Sequence, residues 1–159
     1  MRQPLRKGQT LVEFALVCIP LIFILISIVE LSRFMWSYHT LAFAVERGAR
    51  YAVVHGQTST TSVSAVASII RNAAPGLDPG QLTVALRAAS ATRNCAPLSA
   101  CDGVASQWPD STSNSPGQSI TVEAVYPFRS ALSMFWPGVG AVRFGVVNMG
   151  AAATEEIRY

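Results

Sequence analysis

Between Lys7 and Glu30 the chain reads KGQTLVEFALVCIPLIFILISIVE, with no charged side chain from Phe14 to Val29. Counted from Leu11, the apolar run approaches the ~20 residues that a helix needs to cross about 30 Å of hydrocarbon. It reads as a membrane span. After Glu30 the apolar positions thin into a stripe at three- and four-residue steps: Leu31, Phe34, Tyr38, Leu41, Ala42, Val45, Ala49, Ala52 and Val53. That is a helical face, and Ser32, Arg33, Ser37, His39, Glu46, Arg47 and Arg50 fall on the other side. Gly56 is a natural stop, because glycine tolerates the left-handed conformation just past a helix end. The pattern therefore predicts one helix from about residue 9 to 55, which at 1.5 Å per residue would extend roughly 70 Å. A local bend is expected at Pro20, which lacks a backbone donor and crowds the carbonyl of Leu16.

Beyond a polar loop at 57–62, Val63, Val66, Ala67 and Ile70 predict a short helix to about Ala74, capped by Ser62 or Ser64 and ended by Pro75 and Gly76. Alternation then predicts strands at Leu82–Arg87 and Ile120–Val125, and a third from about Val142 to Met149, weakened by Gly145. Ala89–Gln118 reads as one long loop, a type that is usually functional or mobile. The connection holding Pro127, Phe128, Leu132, Met134, Phe135, Trp136, Pro137 and Gly138 is too apolar to stand freely in water. It has two readings: a satellite core that covers the sheet or leans on the membrane, or a contact surface for a neighbouring subunit centred on Phe135 and Trp136. The fold class is α+β, a long helix packed on a small, mostly antiparallel sheet of about three strands. Its divisions are a basic leader (1–8), a transmembrane helix (9–30), an amphipathic extension of that helix (31–55) and an outer domain (56–159).

Composition fits one span plus one modest domain: 159 residues, 50% hydrophobic and 13% charged. Arg2, Arg6 and Lys7 crowd the N-terminal side, so the positive-inside tendency puts that end in the cytoplasm and residues after about 31 across the membrane. Ile28, Val29, Glu30 and Leu31 offer no small-residue cleavage site, which argues against signal-peptide removal after the span. The other arginines are scattered singly, and the three basic residues before Gln9 account for the whole formal charge of +3. The excess is a topology signal and no nucleic-acid footprint. Cys18 reads as a small hydrophobe within the span. Cys95 and Cys101, in a loop placed outside the cytoplasm, read as a disulfide; a zinc site would need more ligands than His39 and His55 can supply at their spacing. No hydrolase elbow, zinc-protease helix, phosphate loop or dinucleotide fingerprint occurs, so neither an enzyme nor a small-molecule substrate or cofactor is expected. Glu13 stands apart, because a carboxylate in an apolar span is costly and normally has a partner or a function. It can meet water at the headgroup boundary, or, if the chain is cut between Gly8 and Gln9, pair with a neighbour's new ammonium. Glu30, at the far edge of the span, can be solvated there.

Gly8-Gln-Thr-Leu-Val-Glu13-Phe-Ala-Leu-Val17, the proline-containing apolar run and Val29-Glu-Leu-Ser-Arg-Phe34 resemble the N-terminal motif of TadE-like proteins, pseudopilins or minor pilins of the bacterial Tad (Flp, type IVc) pilus system. AVERGARYA at 44–52 extends the likeness: Glu46, Gly48, Ala49 and Arg50 match an "EGAR"-like stretch with Arg47 interposed. The resemblance covers about residues 7–54, and the ending Ala151–Glu156 is also similar to family members. It implies a pilin-like fold in the bacterial inner membrane, cleavage by a prepilin peptidase after Gly8, Gln9 as the new N-terminus, and Glu13 as the acidic residue of processing or subunit registration. Gln9 departs from pilins that begin with phenylalanine. The implied partners are the lipid bilayer, the peptidase and other pilins or Tad assembly proteins. The alternative is an unprocessed single-span protein whose outer domain binds an assembly or adhesion partner.

Overall fold

The computed structural model describes residues 7–56, 61–89, 91–131, 133 and 145–158. Its largest element is α1, Lys7–Gly56, a 50-residue helix that contains Pro20. Leu11 to Leu31 present exposed apolar side chains along this helix. By length and composition α1 can cross a membrane, and none of its apolar stretch is buried within the protein. The first fully buried side chain is Leu41, and from there Ala44, Val45, Ala49 and Ala52 are sealed. Of the predicted stripe, Leu31 and Tyr38 remain exposed, because the fully buried face of the helix starts only at Leu41.

Helix α2, Val63–Asn72, begins where Ser62 in extended conformation accepts the Ala65 amide at 3.2 Å, satisfying one of the free amides of the first turn. Val63, Val66, Ala67 and Ile70 form its buried face. The sheet has four strands in the order β2-β1-β3-β4, with every neighbour antiparallel. They are β1, Thr83–Arg87; β2, Thr92–Cys95; β3, Ser119–Arg129; and β4, Val146–Glu156. One face is covered: Val84, Leu86, Ile120, Val122, Ala124 and Phe128 join the buried side chains of α1 and α2 in a single core.

The α+β class holds, with a fourth strand where about three were expected. The extra strand, β2, comes from the segment read as a loop. That segment is built into the fold: Trp108 is buried, its amide donates to the Thr61 carbonyl at 3.1 Å, and the Val63 and Ser64 amides donate to Ser106 and Val104. Of the strand expected at 142–149, residues 142–144 lie outside the described set; β4 begins at Val146 and continues seven residues past Met149, through Gly150 and three alanines. Alanine and glycine carry little strand preference of their own, so pairing with β3 dictates this half. Pro127 and Phe128, expected in the connection, belong to β3. β1 pairs with β3 only as far as Val125, so beyond it one side of β3 has no strand neighbour among the described residues, and a residue without an N–H is tolerated.

Candidate functional site

The predicted processing residues sit together on the first turns of α1. Gly8 is exposed, and a Cβ added to it would meet nothing within 4 Å. The fold makes no demand for glycine there, although glycine in a helix costs roughly 1 kcal/mol relative to alanine. One residue on, the Gln9 Nε2 donates to Glu13 Oε1 at 3.1 Å, and both side chains are exposed. Because 3.6 residues make one turn, positions 9 and 13 share a face, so the chain places a polar partner beside the one carboxylate in the apolar run. Glu13 lies 28 residues before Leu41, roughly 42 Å along the helix.

The second constellation surrounds Glu30, which the pattern left as merely solvated. Its side chain is only 12% exposed and lies 3.0 Å from Arg33, while its other oxygen accepts the backbone amide of Ala131 at 2.8 Å. One turn on, Phe34 meets Phe128 edge to face with ring centroids 5.3 Å apart, and the Arg33 guanidinium lies 5.8 Å from the centre of the same ring. Where the exposed apolar stretch ends, helix and β3 are therefore tied by a charge-assisted hydrogen bond and an aromatic pair. The available signal was an acidic residue closing an apolar run three residues before an arginine.

A third group explains Glu46 to Arg50. A Cβ on Gly48 would lie 2.5 Å from Ile70 Cγ1, so the glycine permits the close approach of α1 and α2. Ala49 is fully buried. Arg50 pairs with Glu46 one turn back and reaches Glu155 on β4 at 3.8 Å. Glu155 therefore faces the helix. His39 and His55 are on the helix surface, the latter stacked on Tyr51 at 4.2 Å.

Cys95 and Cys101 are bridged, joining β2 to a 3-10 turn at Leu98–Cys101, and Cys18 is free within α1. The bridge lies beside the sheet, away from the Gly8–Glu13 cluster. Phe135 and Trp136 lie outside the described residues. Among the described residues, no three of His, Cys, Asp and Glu converge as metal ligands.

Residues 8–50 match the family model described as TadE-like protein. The match starts at Gly8 and ends at Arg50, spanning the Gly8–Glu13 cluster, Glu30 and the Gly48 contact, and it leaves the sheet uncovered. No curated protein and no solved structure matches the chain.

Proposed function

We propose that this protein is a membrane-anchored pseudopilin or minor-pilin component of Tad-type pilus assembly, matured by a prepilin peptidase and acting through contacts with other subunits. The observation that carries the proposal is that the TadE-like match begins at a glycine for which the fold has no use. A small residue with open space around it suits a peptidase that must close on the backbone. The N-terminal end faces the cytoplasm of a bacterial inner membrane, in keeping with Arg2, Arg6 and Lys7, and the sheet lies on the far side.

Hydrolysis of the Gly8–Gln9 bond would change Glu13 without moving it. Afterwards Glu13 stands one helical turn from the new N-terminus, four residues from a new ammonium and nearer the positive end of the helix dipole, which favours a carboxylate. A subunit displaced along the membrane can then offer its ammonium to this carboxylate, which sets a register between helices. The reading gives this protein no catalytic role; it is the peptidase's substrate.

Intact mass of the protein from its native host is the test. Loss of residues 1–8 is expected. A full-length mass, together with filament formation indifferent to Gly8→Leu, would overturn the proposal in favour of a permanently anchored subunit. Glu13→Val refines it, since processing should persist while assembly stops.

A further inference from the structure

Among the described residues, strand β4 is the long edge of the sheet, 11 residues paired on one side with β3. Edge strands are ordinarily blunted by proline, lysine, bulges or shortness, because an open row of amides and carbonyls is a template for another strand. β4 reads VVNMGAAATEE, with no proline, no lysine and its only charges at Glu155 and Glu156. Asn148, Gly150, Ala152, Thr154 and Glu156 are exposed along it. The opposite edge, β2, reads TRNC, and Arg93 on it is exposed and absent from every ion pair among the described residues.

We infer that β4 is a pairing edge for a second copy of this chain, joined head to tail, so that β2 of one copy continues the sheet beyond β4 of the next. Strand polarity selects this arrangement. With four strands, each antiparallel to its neighbour, β2 and β4 point in opposite directions within one molecule. A copy moved sideways without being turned therefore presents its β2 antiparallel to β4. The symmetric antiparallel alternative, β4 against β4, requires a two-fold axis perpendicular to the sheet. Since α1 lies on the sheet's covered face against β3 and β4, that rotation would reverse the helix and send its apolar end the opposite way. Of the two antiparallel pairings open to β4, anchoring of α1 in one bilayer selects the sideways arrangement.

Charge and facing fix the register. Arg93 is opposite Leu86 and Glu155 is opposite Ile120, both buried residues, so Arg93 and Glu155 stand on the same, helix-covered side. Placing Arg93 of one copy opposite Glu155 of the next puts Thr92 opposite Glu156, Asn94 opposite Thr154 and Cys95 opposite Ala153, with every residue keeping its face. Four strands at a spacing of about 4.8 Å make a repeat of roughly 19 Å, wider than the 8–10 Å of helices in contact. The sheet-edge neighbour is therefore a different neighbour from any that meets Glu13. Such a head-to-tail contact propagates into a ring or a filament. The inference uses the anchoring of α1 and is independent of cleavage at Gly8.

The test places a benzoylphenylalanine photo-crosslinker at Thr154 of the full chain in its membrane and maps the captured peptide. The expected product has twice the chain mass and joins Thr154 to Thr92–Cys95 of a second copy. Arg93→Glu should lower the yield at least five-fold, and adding Glu155→Arg to the same chain should bring it back within two-fold, with the Cys95–Cys101 bridge checked by mass in each variant. Gly8→Leu should leave the yield unchanged, which separates this contact from the processing reading. Capture of a different protein, a product mapped elsewhere on the chain, monomer alone, or a yield indifferent to Arg93→Glu would each overturn it.

Discussion

At the scale of single residues, two positions outside the N-terminal motif control how the outer domain holds together. Gly48 lets α1 and α2 approach until Ile70 fills the space a Cβ would need. Gly48→Ala should destabilise the domain by about 1–3 kcal/mol, the usual cost of overpacking a tight core. The penalty should shrink when Ile70 is cut to alanine, so a double-mutant cycle read by denaturant unfolding would show strong coupling; additive losses would mean that the contact is slack. Asp110 is the second. A hydrogen bond from the Ser113 side chain, then ones from the Thr112 hydroxyl and the Ser113 amide, hold its carboxyl below the ordinary 3.8, against a smaller opposing push from burial. A depressed folded pKa stabilises the native state above the unfolded value of about 3.9, and that contribution disappears as pH falls through the lower folded value. Neighbouring Asn114 donates to the Gly56 carbonyl at 2.6 Å and so caps the end of α1. Asp110→Asn should flatten the loss of stability below about pH 4, measured as Tm against pH, while leaving the shape of the profile above pH 5 unaltered.

At the scale of elements, what could be read from the chain followed the strength of each local signal. The long helix, the Ser62 cap and the strands around Val84 and Val122 were legible because apolar positions repeat there at helical or alternating steps. β2 was not, since Thr92, Arg93 and Asn94 are all exposed and only Cys95 is buried. The second half of β4 was hidden for a related reason: Ala151 and Ala153 satisfy a close helix-to-sheet distance without the bulk that marks a strand. Glu30 was misjudged because its partner is a backbone amide 101 residues away, which no local pattern reveals. The bridge between Cys95 and Cys101 pins β2, the least self-sufficient strand, to the 3-10 turn that follows it. Closing a loop with a sequence separation of only 6 limits the entropic gain to about 2 kcal/mol. Cys95→Ser with Cys101→Ser should lower stability by that amount, with hydrogen exchange rising first in β2 and leaving β3 protected; a loss spread evenly over all four strands would contradict this local role.

At the scale of the whole molecule, the sheet must stay fixed on a helix whose other half is an exposed apolar stretch long enough to cross a membrane. The core seals α1 only from Leu41 onward, so between the exposed apolar stretch and that point the helix could swing away from the sheet. Glu30, Arg33, Phe34 and Phe128 close the gap. The Glu30 carboxylate holds the Ala131 amide where β3 leaves the sheet, and the edge-to-face ring pair sits one turn above it. A hydrogen bond to a charged group is worth about 1.5–3 kcal/mol, and leaving its partner unmet costs a similar amount. That is large locally and small beside the core. Glu30→Ala should therefore leave the thermal midpoint of the outer domain nearly unchanged while amide exchange at Arg129 to Ala131 accelerates at least ten-fold. Glu30→Gln, which keeps an acceptor but loses the charge, should fall between. Phe128→Leu should have the opposite signature, with a lower midpoint and a smaller change at Ala131, because Phe128 belongs to the core. If Glu30→Ala leaves exchange at Ala131 untouched, the sheet is held by the core alone and the helix is free to pivot where it leaves its apolar stretch. Any contact passed from one subunit's helix to the next would then not reach the sheets.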